Sequence, residues 1–216
     1  KSYYEEKHDR GSFIKDIISD NIMLGDIYMR AKELRVTADV PRGVFVIRSL
    51  KKGESVPTDV IQNLFPDRQN DFVLSIGEGD VVLIRQMPEG SNVKELNKIA
   101  AFIEETLRSG GESTVVVGIG TIAIHLRDLA KSYKEAQIAI EVGKVFDTEK
   151  YVINYENLGI GRLIYQLPTT LCEMFLQEVF KKNPIDALDK ETLFTIHKFF
   201  ENNLNVSETA RKLFVH

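Results

Sequence analysis

The stretch DFVLSIGEGDVVLIRQ, residues 71–86, decides the fold class of this chain. Two runs rich in Val, Leu and Ile, at 71–76 and 80–86, flank the Gly-rich sequence GEG. Gly77 and Gly79 predict a tight turn, because glycine adopts backbone conformations that other residues avoid. The stretch is therefore predicted to form a β-hairpin, which commits the chain to a sheet with antiparallel strands.

Short strands and helices alternate on both sides of this hairpin. Further strands, rich in Val and Ile, are predicted at GVFVIRS (43–49), STVVVGIG (113–120) and YVIN (151–154). Helices are predicted from apolar spacing at 56–65, 91–111 and 126–146. Ser91 or Asn92 is the expected N-cap of the second of these helices. The order β-α-β-β-α-β, followed by one more helix and strand, is the split βαβ of ferredoxin-like and palm domains. We predict an α+β domain of two layers, with its helices on one face of a mainly antiparallel sheet.

Helical sequence precedes and follows this α+β segment. GSFIKDIISDNI (11–22) and GDIYMRAKELRV (25–36) have apolar residues at helical spacing, and no strand is predicted after Tyr155. The predicted organisation is N-terminal connecting helices at 1–40, an α+β domain at 41–156 and a helical segment at 157–216.

Composition and charge exclude several classes of function. A net charge of −4 over 216 residues argues against a broadly basic nucleic-acid-binding surface, but it leaves a small DNA-reading module open. No apolar run approaches the ~20 residues of a membrane span, so no membrane partner is predicted. Cys172 is the single cysteine, which excludes a disulfide within the chain and fits a cytoplasmic protein. The histidines have no metal-ligand spacing, so no metal site is predicted.

The hairpin turn resembles a catalytic motif, but the neighbouring carboxylates that the motif needs are absent from the expected positions. The residues similar to the GGDEF motif of diguanylate cyclases are Gly77, Glu78, Gly79 and Asp80. Such enzymes hold two metal ions between carboxylates of facing strands. Here Val81 stands where the next acid is expected, and Arg48 and Ser49 stand where the first strand should supply its carboxylate. We predict no catalytic residue, no metal pair and no cofactor.

A second glycine pattern, GIGTIA (118–123), follows a strand and precedes a helix, as dinucleotide-binding sequences do. The acid expected about 20 residues later should end a parallel strand, yet Glu141 lies inside the predicted helix 126–146. Close packing at a strand end therefore explains these glycines better than a nucleotide site does.

The C-terminal residues carry the pattern of a helix-turn-helix. A helix in ETLFTIHKFFENN (191–203) is followed by a turn and a short helix, for which Asn205 is the predicted N-cap. Glu208 is expected to complete a capping-box variant. The residues expected to face inward are Val206, Ala210 and Leu213. A small central residue such as Ala210 allows another helix to pack closely, as a helix-turn-helix requires.

Two stretches, 117–143 and 188–216, together resemble the bacterial transcription regulators of the sugar-diacid (CdaR) and purine-catabolism (PucR) type. The resemblance covers the chain from about Phe13 to His216. It implies a degenerate GGDEF-like domain between an N-terminal sensor domain, which would bind a small-molecule effector, and a C-terminal helix-turn-helix. It also implies that a base-reading helix follows His216, so this chain is expected to bind specific DNA poorly.

The resemblance also implies supporting DNA contacts and a mechanism. The residues expected to contact phosphates, which position a protein without specifying sequence, are Ser207, Thr209, Arg211, Lys212 and His216. The GGDEF-like domain would act without catalysis in a homodimer and pass the sensor state to the spacing of two DNA-binding units. Two alternatives stay open. One is a module that binds a small molecule or nucleotide near Asp80; the other is a nucleotide cyclase, against which Arg48 and Val81 argue.

Overall fold

One mixed sheet lies at the centre of the computed structural model, which describes residues 3–77, 79–111, 114–146, 150–181, 188–202 and 204–214. Its strands are β1 (Asp39–Ser49), β2 (Phe72–Ile76), β3 (Asp80–Gln86), β4 (Val115–Ile119), β5 (Ala123–His125) and β6 (Val152–Asn154). The helices are α1 (Tyr3–Ile18), α2 (Leu24–Glu33), α3 (Thr58–Leu64), α4 (Val93–Ser109), α5 (Leu129–Phe146), α6 (Gly161–Tyr165), α7 (Thr169–Val179), α8 (Lys190–Glu201) and α9 (Val206–Leu213). Each predicted strand and helix has a counterpart, and β5 is additional. Within the described ranges, no helix is both long enough and apolar enough to cross a bilayer.

The strand order identifies the arrangement of the sheet. The order is β2-β3-β1-β4-β6, and β5 pairs with β1 off this path. β1 is antiparallel to both β3 and β4, whereas β6 is parallel to β4. This is the predicted ferredoxin-like, or palm, order, extended by α5 and β6. The predicted α+β class is confirmed.

Helices cover both faces of the sheet. α1, α2 and α5 bury one face, and α3 and α4 bury the other. The prediction of two layers, with helices on one face, is therefore wrong. The reason lies in the strands: VFVI in β1 and VVLI in β3 are continuous apolar runs in which every residue is buried. Such runs are typical of strands covered on both faces, whereas a strand covered on one face alternates apolar and polar residues.

The glycines of GIGTIA let α5 lie directly on β4. A Cβ atom on Gly118 would come within 2.2 Å of the Ala136 carbonyl oxygen, and one on Gly120 within 2.0 Å of the Ser132 carbonyl oxygen. No larger residue fits at this distance from a helix backbone. The close-packing interpretation of these glycines is confirmed, and the packing fixes the position of α5 over the sheet.

α1 and α2 belong to the same compact unit as the sheet. Phe13 and Ile27 are buried in the core under one sheet face, because an amphipathic helix must cover its apolar side. The chain divides into two compact units, Lys1–Tyr165 and Gln166–His216. The predicted ranges differ from this division: the described residues up to position 40 belong to the first unit, and that unit continues through α6, beyond residue 156.

The second unit contains the helical hairpin of α8 and α9. Asn205 caps α9 as predicted, since its side-chain oxygen accepts a hydrogen bond from the Glu208 N–H at 3.0 Å. The Glu208 carboxylate accepts a hydrogen bond from the Arg211 guanidinium. The Asn205 N–H, which a capping box would pair with Glu208, donates instead to the Asn202 carbonyl oxygen at 3.0 Å, so the predicted capping-box variant does not form.

The inward face of α9 differs from the prediction. Thr209 is buried, whereas Val206, expected to face inward, is 70% exposed. The Thr209 hydroxyl donates to the Asn205 carbonyl oxygen at 2.8 Å and lies 3.4 Å from Nδ2 of Asn202, at the end of α8. These polar contacts turn Thr209 toward α8, and apolar spacing alone does not reveal them.

Candidate functional site

The predicted degenerate turn joins β2 to β3. Gly77 has a φ of +59°, the left-handed conformation that favours glycine. The Gly79 carbonyl oxygen accepts a hydrogen bond from the Val56 N–H at 3.2 Å, which ties the turn to the segment before α3. Glu78 lies outside the described residues. Asp80 follows as the first residue of β3, and it is the carboxylate around which the site is built.

Arg48 of the neighbouring strand holds Asp80. Ile47 of β1 lies opposite Val81 of the antiparallel strand β3. Arg48, one residue after Ile47, is therefore next to Asp80, one residue before Val81, on the same face of the sheet. Arg48 Nε donates to Asp80 Oδ1 and Oδ2 at 3.0 and 3.1 Å, and Nη2 donates to Oδ2 at 2.8 Å. Forked contacts of this kind are the strong form of an arginine–carboxylate pair.

α5 brings a second carboxylate to the same guanidinium. Arg48 Nη1 donates to Glu141 Oε1 at 2.6 Å. The Arg48–Asp80–Glu141 triad therefore connects β1, β3 and α5 through one side chain. Sequence reasoning missed the role of Glu141, which it weighed only as a nucleotide ligand. The available signal was the polar spacing of Tyr133, Gln137 and Glu141, four residues apart on one side of α5.

The electrostatics of the triad oppose metal binding. A two-metal centre needs carboxylates that are free to surround the ions, whereas here a guanidinium lies between Asp80 and Glu141. The hydrogen bond to Asp80 raises the pKa of Arg48 above its ordinary value, so the cation persists at physiological pH. A divalent ion would meet this like charge at ion-pair distance. Among the side chains that the structure describes, no group of three or more His, Cys, Asp or Glu could hold a metal.

A cleft of 460 Å³ lies beside the triad. Its lining includes Ser49, Lys51, Lys52, Gly53, Tyr133 and Gln137. Gln137 Nε2 donates to the Tyr133 hydroxyl at 3.2 Å, and burial raises the pKa of that phenol. The Lys51 ammonium lies 3.7 Å from a Glu54 carboxylate oxygen. The lining carries both signs of charge, with Lys51 and Lys52 beside Glu54 and with Arg48 beside Asp80, and it is the concave surface next to Asp80.

The structure separates the predicted DNA-contacting residues of α9. Ser207 and Arg211 are exposed and, being four residues apart, share one side of the helix. Lys212 is also exposed, but its ammonium donates to Asn202 Oδ1 at 2.6 Å. Thr209 is buried against α8, which leaves it no surface for a phosphate, contrary to the expectation for this residue. His216 lies outside the described residues.

Comparison with known proteins identifies the family. A family model described as GGDEF-like domain matches residues 20–142, which is more than half of the chain. The chain belongs to the GGDEF-like domain family. All three members of the Arg48–Asp80–Glu141 triad lie inside the matched part of this GGDEF-like domain.

Relatives of the GGDEF-like chain are named as regulators. It is 28% identical over 147 residues to the purine catabolism regulatory protein of Bacillus subtilis (strain 168), a match that covers 65% of this chain and 27% of the relative. The chain thus spans about a quarter of that relative's length. The crystal structure of a regulator of polyketide synthase expression from Bifidobacterium adolescentis aligns with a TM-score of 0.49 at 12% identity, over 94% of this chain and 76% of that one. The family and Bacillus subtilis matches confirm the predicted resemblance to CdaR/PucR-type regulators.

Proposed function

We propose that this chain is part of a cytoplasmic DNA-binding transcription regulator, in which the GGDEF-like domain transmits the state of a sensor domain without catalysis. The observation that carries the proposal is the bridge from Arg48 to Asp80 and Glu141. A guanidinium takes the place between carboxylates that two-metal catalysis requires for its ions. The regulatory name of the Bacillus subtilis relative supports the same class of function.

A rigid connection through α5 is what transmission needs. The triad ties the end of α5 to β1 and β3, and Gly118 and Gly120 hold the helix on β4. α1 and α5 bury residues in the same core, which extends this connection to the N-terminal helices, and an exposed ion pair between Lys134 and Asp20 lies beside it. A displacement of α1 by a sensor domain would therefore reach α5 and the sheet as one movement.

DNA binding is the output in this proposal. Ser207 and Arg211 on the exposed side of α9 would contact phosphates, and a base-reading helix downstream would supply specificity. Two copies of the regulator would form a homodimer, and an effector on the sensor domain would change the spacing of the two DNA-binding units.

Sedimentation of the full-length regulator tests the homodimer. We expect a dimer that binds a DNA fragment carrying the regulator's own promoter. If only monomer is found, with and without this DNA, the spacing mechanism is wrong.

A charge reversal tests transmission through the triad. Arg48→Glu in the full-length regulator places three carboxylates together, so we expect transcription from a reporter on its own promoter to lose its normal regulation. Arg127→Glu is the matched control, because this guanidinium is 53% exposed and its ion pair with the adjacent Asp128 is long, at 4.0 Å. Normal regulation by a folded Arg48→Glu variant would contradict the role of the triad.

The 460 Å³ cleft beside Asp80 favours a second candidate, a module that binds a nucleotide or sugar acid. Calorimetric titration of the chain with GTP and with sugar diacids distinguishes it from pure transmission, and a flat titration eliminates it. Incubation with Mn²⁺ and GTP addresses the cyclase alternative. Formation of any cyclic dinucleotide would overturn the non-catalytic assignment.

A further inference from the structure

A groove of 420 Å³ runs along the outer edge of β2. Residues 71–74 line it in unbroken succession, although consecutive strand residues point to opposite faces of a sheet. Phe72 and Leu74 pack into the core under one face, and Val73 packs against the core under the other. Because the side chains point to both faces, the part of these residues that can line one groove together is their backbone. The groove therefore follows the edge of the strand.

This edge has the geometry that an added strand requires. β2 is the last strand in the sheet order, and β3 pairs with its inner side. No strand within the described ranges lies on its outer side. The five residues of β2 span about 17 Å at the usual rise of a strand. Leu34, after α2, and Gln62 of α3 line the groove from the two helical layers, so an extended segment would lie between walls.

The groove carries three guanidiniums, from Arg10, Arg35 and Arg68. The two carboxylates of the lining, Asp67 and Asp71, accept hydrogen bonds from other groups of the chain. Asp67 accepts from the N–H groups of the two residues that follow Arg68. Asp71 accepts from an Arg85 guanidinium nitrogen at 2.8 Å, outside the groove lining, and from a backbone N–H of β3. Three guanidiniums against two carboxylates leave the lining with a net charge of +1, and Arg85 pairs with one of those carboxylates, Asp71, from outside the lining, so the groove is electropositive.

Arg10 is held in place before any ligand arrives. Its Nη2 donates to the Gln69 carbonyl oxygen at 2.6 Å, and its guanidinium carbon lies 5.5 Å from the centre of the Phe72 ring. Its Nε is buried and has no hydrogen-bond partner. A cation fixed in this way loses little conformational freedom when it binds a carboxylate.

We propose that the β2 groove binds an extended acidic segment of a partner protein by strand addition. The backbone of the segment would pair with the edge of β2, and its acidic side chains would pair with Arg10, Arg35 and Arg68. A second copy of this chain fits poorly, because edge-to-edge pairing of two β2 strands would bring both sets of guanidiniums together. This inference is independent of the function proposed for the triad.

The test uses the 216-residue chain and a fluorescein-labelled peptide of about eight residues that alternates Glu and Val. We expect saturable binding in fluorescence anisotropy that weakens as salt is raised. The double variant Arg35→Glu/Arg68→Glu changes two exposed side chains and should weaken binding at least about tenfold. Arg127→Glu, far from the groove in sequence and absent from its lining, should bind as the wild type does.

Two further readouts separate strand addition from simple charge attraction. N-methylation of alternate peptide residues on the pairing side removes backbone donors and should abolish binding. Peptide binding should also slow amide hydrogen exchange in Phe72–Ile76. The proposal is wrong if the Glu-Val peptide does not bind, if a Lys-Val peptide binds as well, or if N-methylation or the double variant changes nothing. Glutarate that competes with the peptide at equal concentration would instead make the groove a small-anion site and would also overturn strand addition.

Discussion

The substitution Gly118→Ala tests how α5 is held on the sheet. The added Cβ would lie 2.2 Å from the Ala136 carbonyl oxygen, 2.7 Å from Ile140 Cγ1 and 3.1 Å from the Ala136 carbonyl carbon. Ordinary contacts of such an atom begin at 3.4 Å, so α5 must move outward by about 1.2 Å or more. The nearest atom belongs to a helix backbone, and no change of rotamer relieves the clash.

The expected cost lies at the upper end of overpacking. Insertion of a methyl group into a well-packed core costs roughly 1–3 kcal/mol, and a clash with backbone should reach about 3 kcal/mol or exceed it. For a chain of this size, such a loss lowers the melting temperature by roughly 6–12 °C. Far-UV circular dichroism during heating measures this directly.

Gly25→Ala is the matched control, because an added Cβ there meets nothing within 4 Å and the residue lies in α2. Alanine in a helix is favoured over glycine by about 0.5–1 kcal/mol, so this variant should match or slightly exceed the wild type. A Gly118→Ala protein that melts within about 1 °C of the wild type would refute the close-packing argument.

Three further predictions concern single side chains. Asn92→Ala should lower the free energy of unfolding by about 1 kcal/mol in a urea titration, since Asn92 accepts from the Lys94 N–H at 2.8 Å; an equal loss for Ser91→Ala would contradict this assignment of the cap. Burial raises the pKa of Asp71 above its ordinary 3.8, so the folded state binds more protons than the unfolded state above that pH. The wild type should therefore lose stability relative to Asp71→Asn as pH rises above 3.8, and parallel melting curves at pH 4 and 6 would show the reasoning to be wrong. Asn202→Ala removes the acceptor of a 2.6 Å hydrogen bond from the Lys212 ammonium and the amide nitrogen that lies 3.4 Å from the Thr209 hydroxyl, both on α9; amides of α9 should therefore exchange roughly 5–30 times faster, with no change in the sheet.

Local sequence patterns were enough to predict the strands and helices of this fold. The number of layers was predicted wrongly, because it depends on packing between distant elements. The hairpin at 71–86 follows from two apolar runs, and its turn follows from the positive φ that Gly77 adopts. Both signals lie within a few residues of each other in the sequence. The number of layers depends on which helices meet which sheet face. That information was present in the continuous runs VFVI and VVLI, which imply burial on both faces. The fold order alone does not carry it, because an extra helix after the split βαβ can cover either face.

The candidate site was predictable as far as it depends on neighbours in the sheet. Arg48 and Asp80 lie on paired strands, so the strand order places them together. Glu141 is 93 residues from Arg48 and reaches it only because α5 lies against β4. The burial of Thr209 was hidden for a similar reason, since the polar contact with Asn202 depends on the angle between two helices. Long-range contacts between polar side chains leave no period in a sequence.

The proposed lack of catalysis and the connection to α5 both depend on one side chain, Arg48. Asp80 and Glu141 both pair with the Arg48 guanidinium, so without that cation two carboxylates would lie close together and repel each other. A metal ion can neutralise them, but it exchanges with solvent and leaves when the surroundings change. A guanidinium on β1 neutralises them permanently and adds directed hydrogen bonds to β3 and α5. In the proposed function, the side chain that opposes a two-metal reaction is therefore also the one that couples the sheet to α5. A domain built to transmit a displacement requires that coupling, and a domain built to turn over a nucleotide does not.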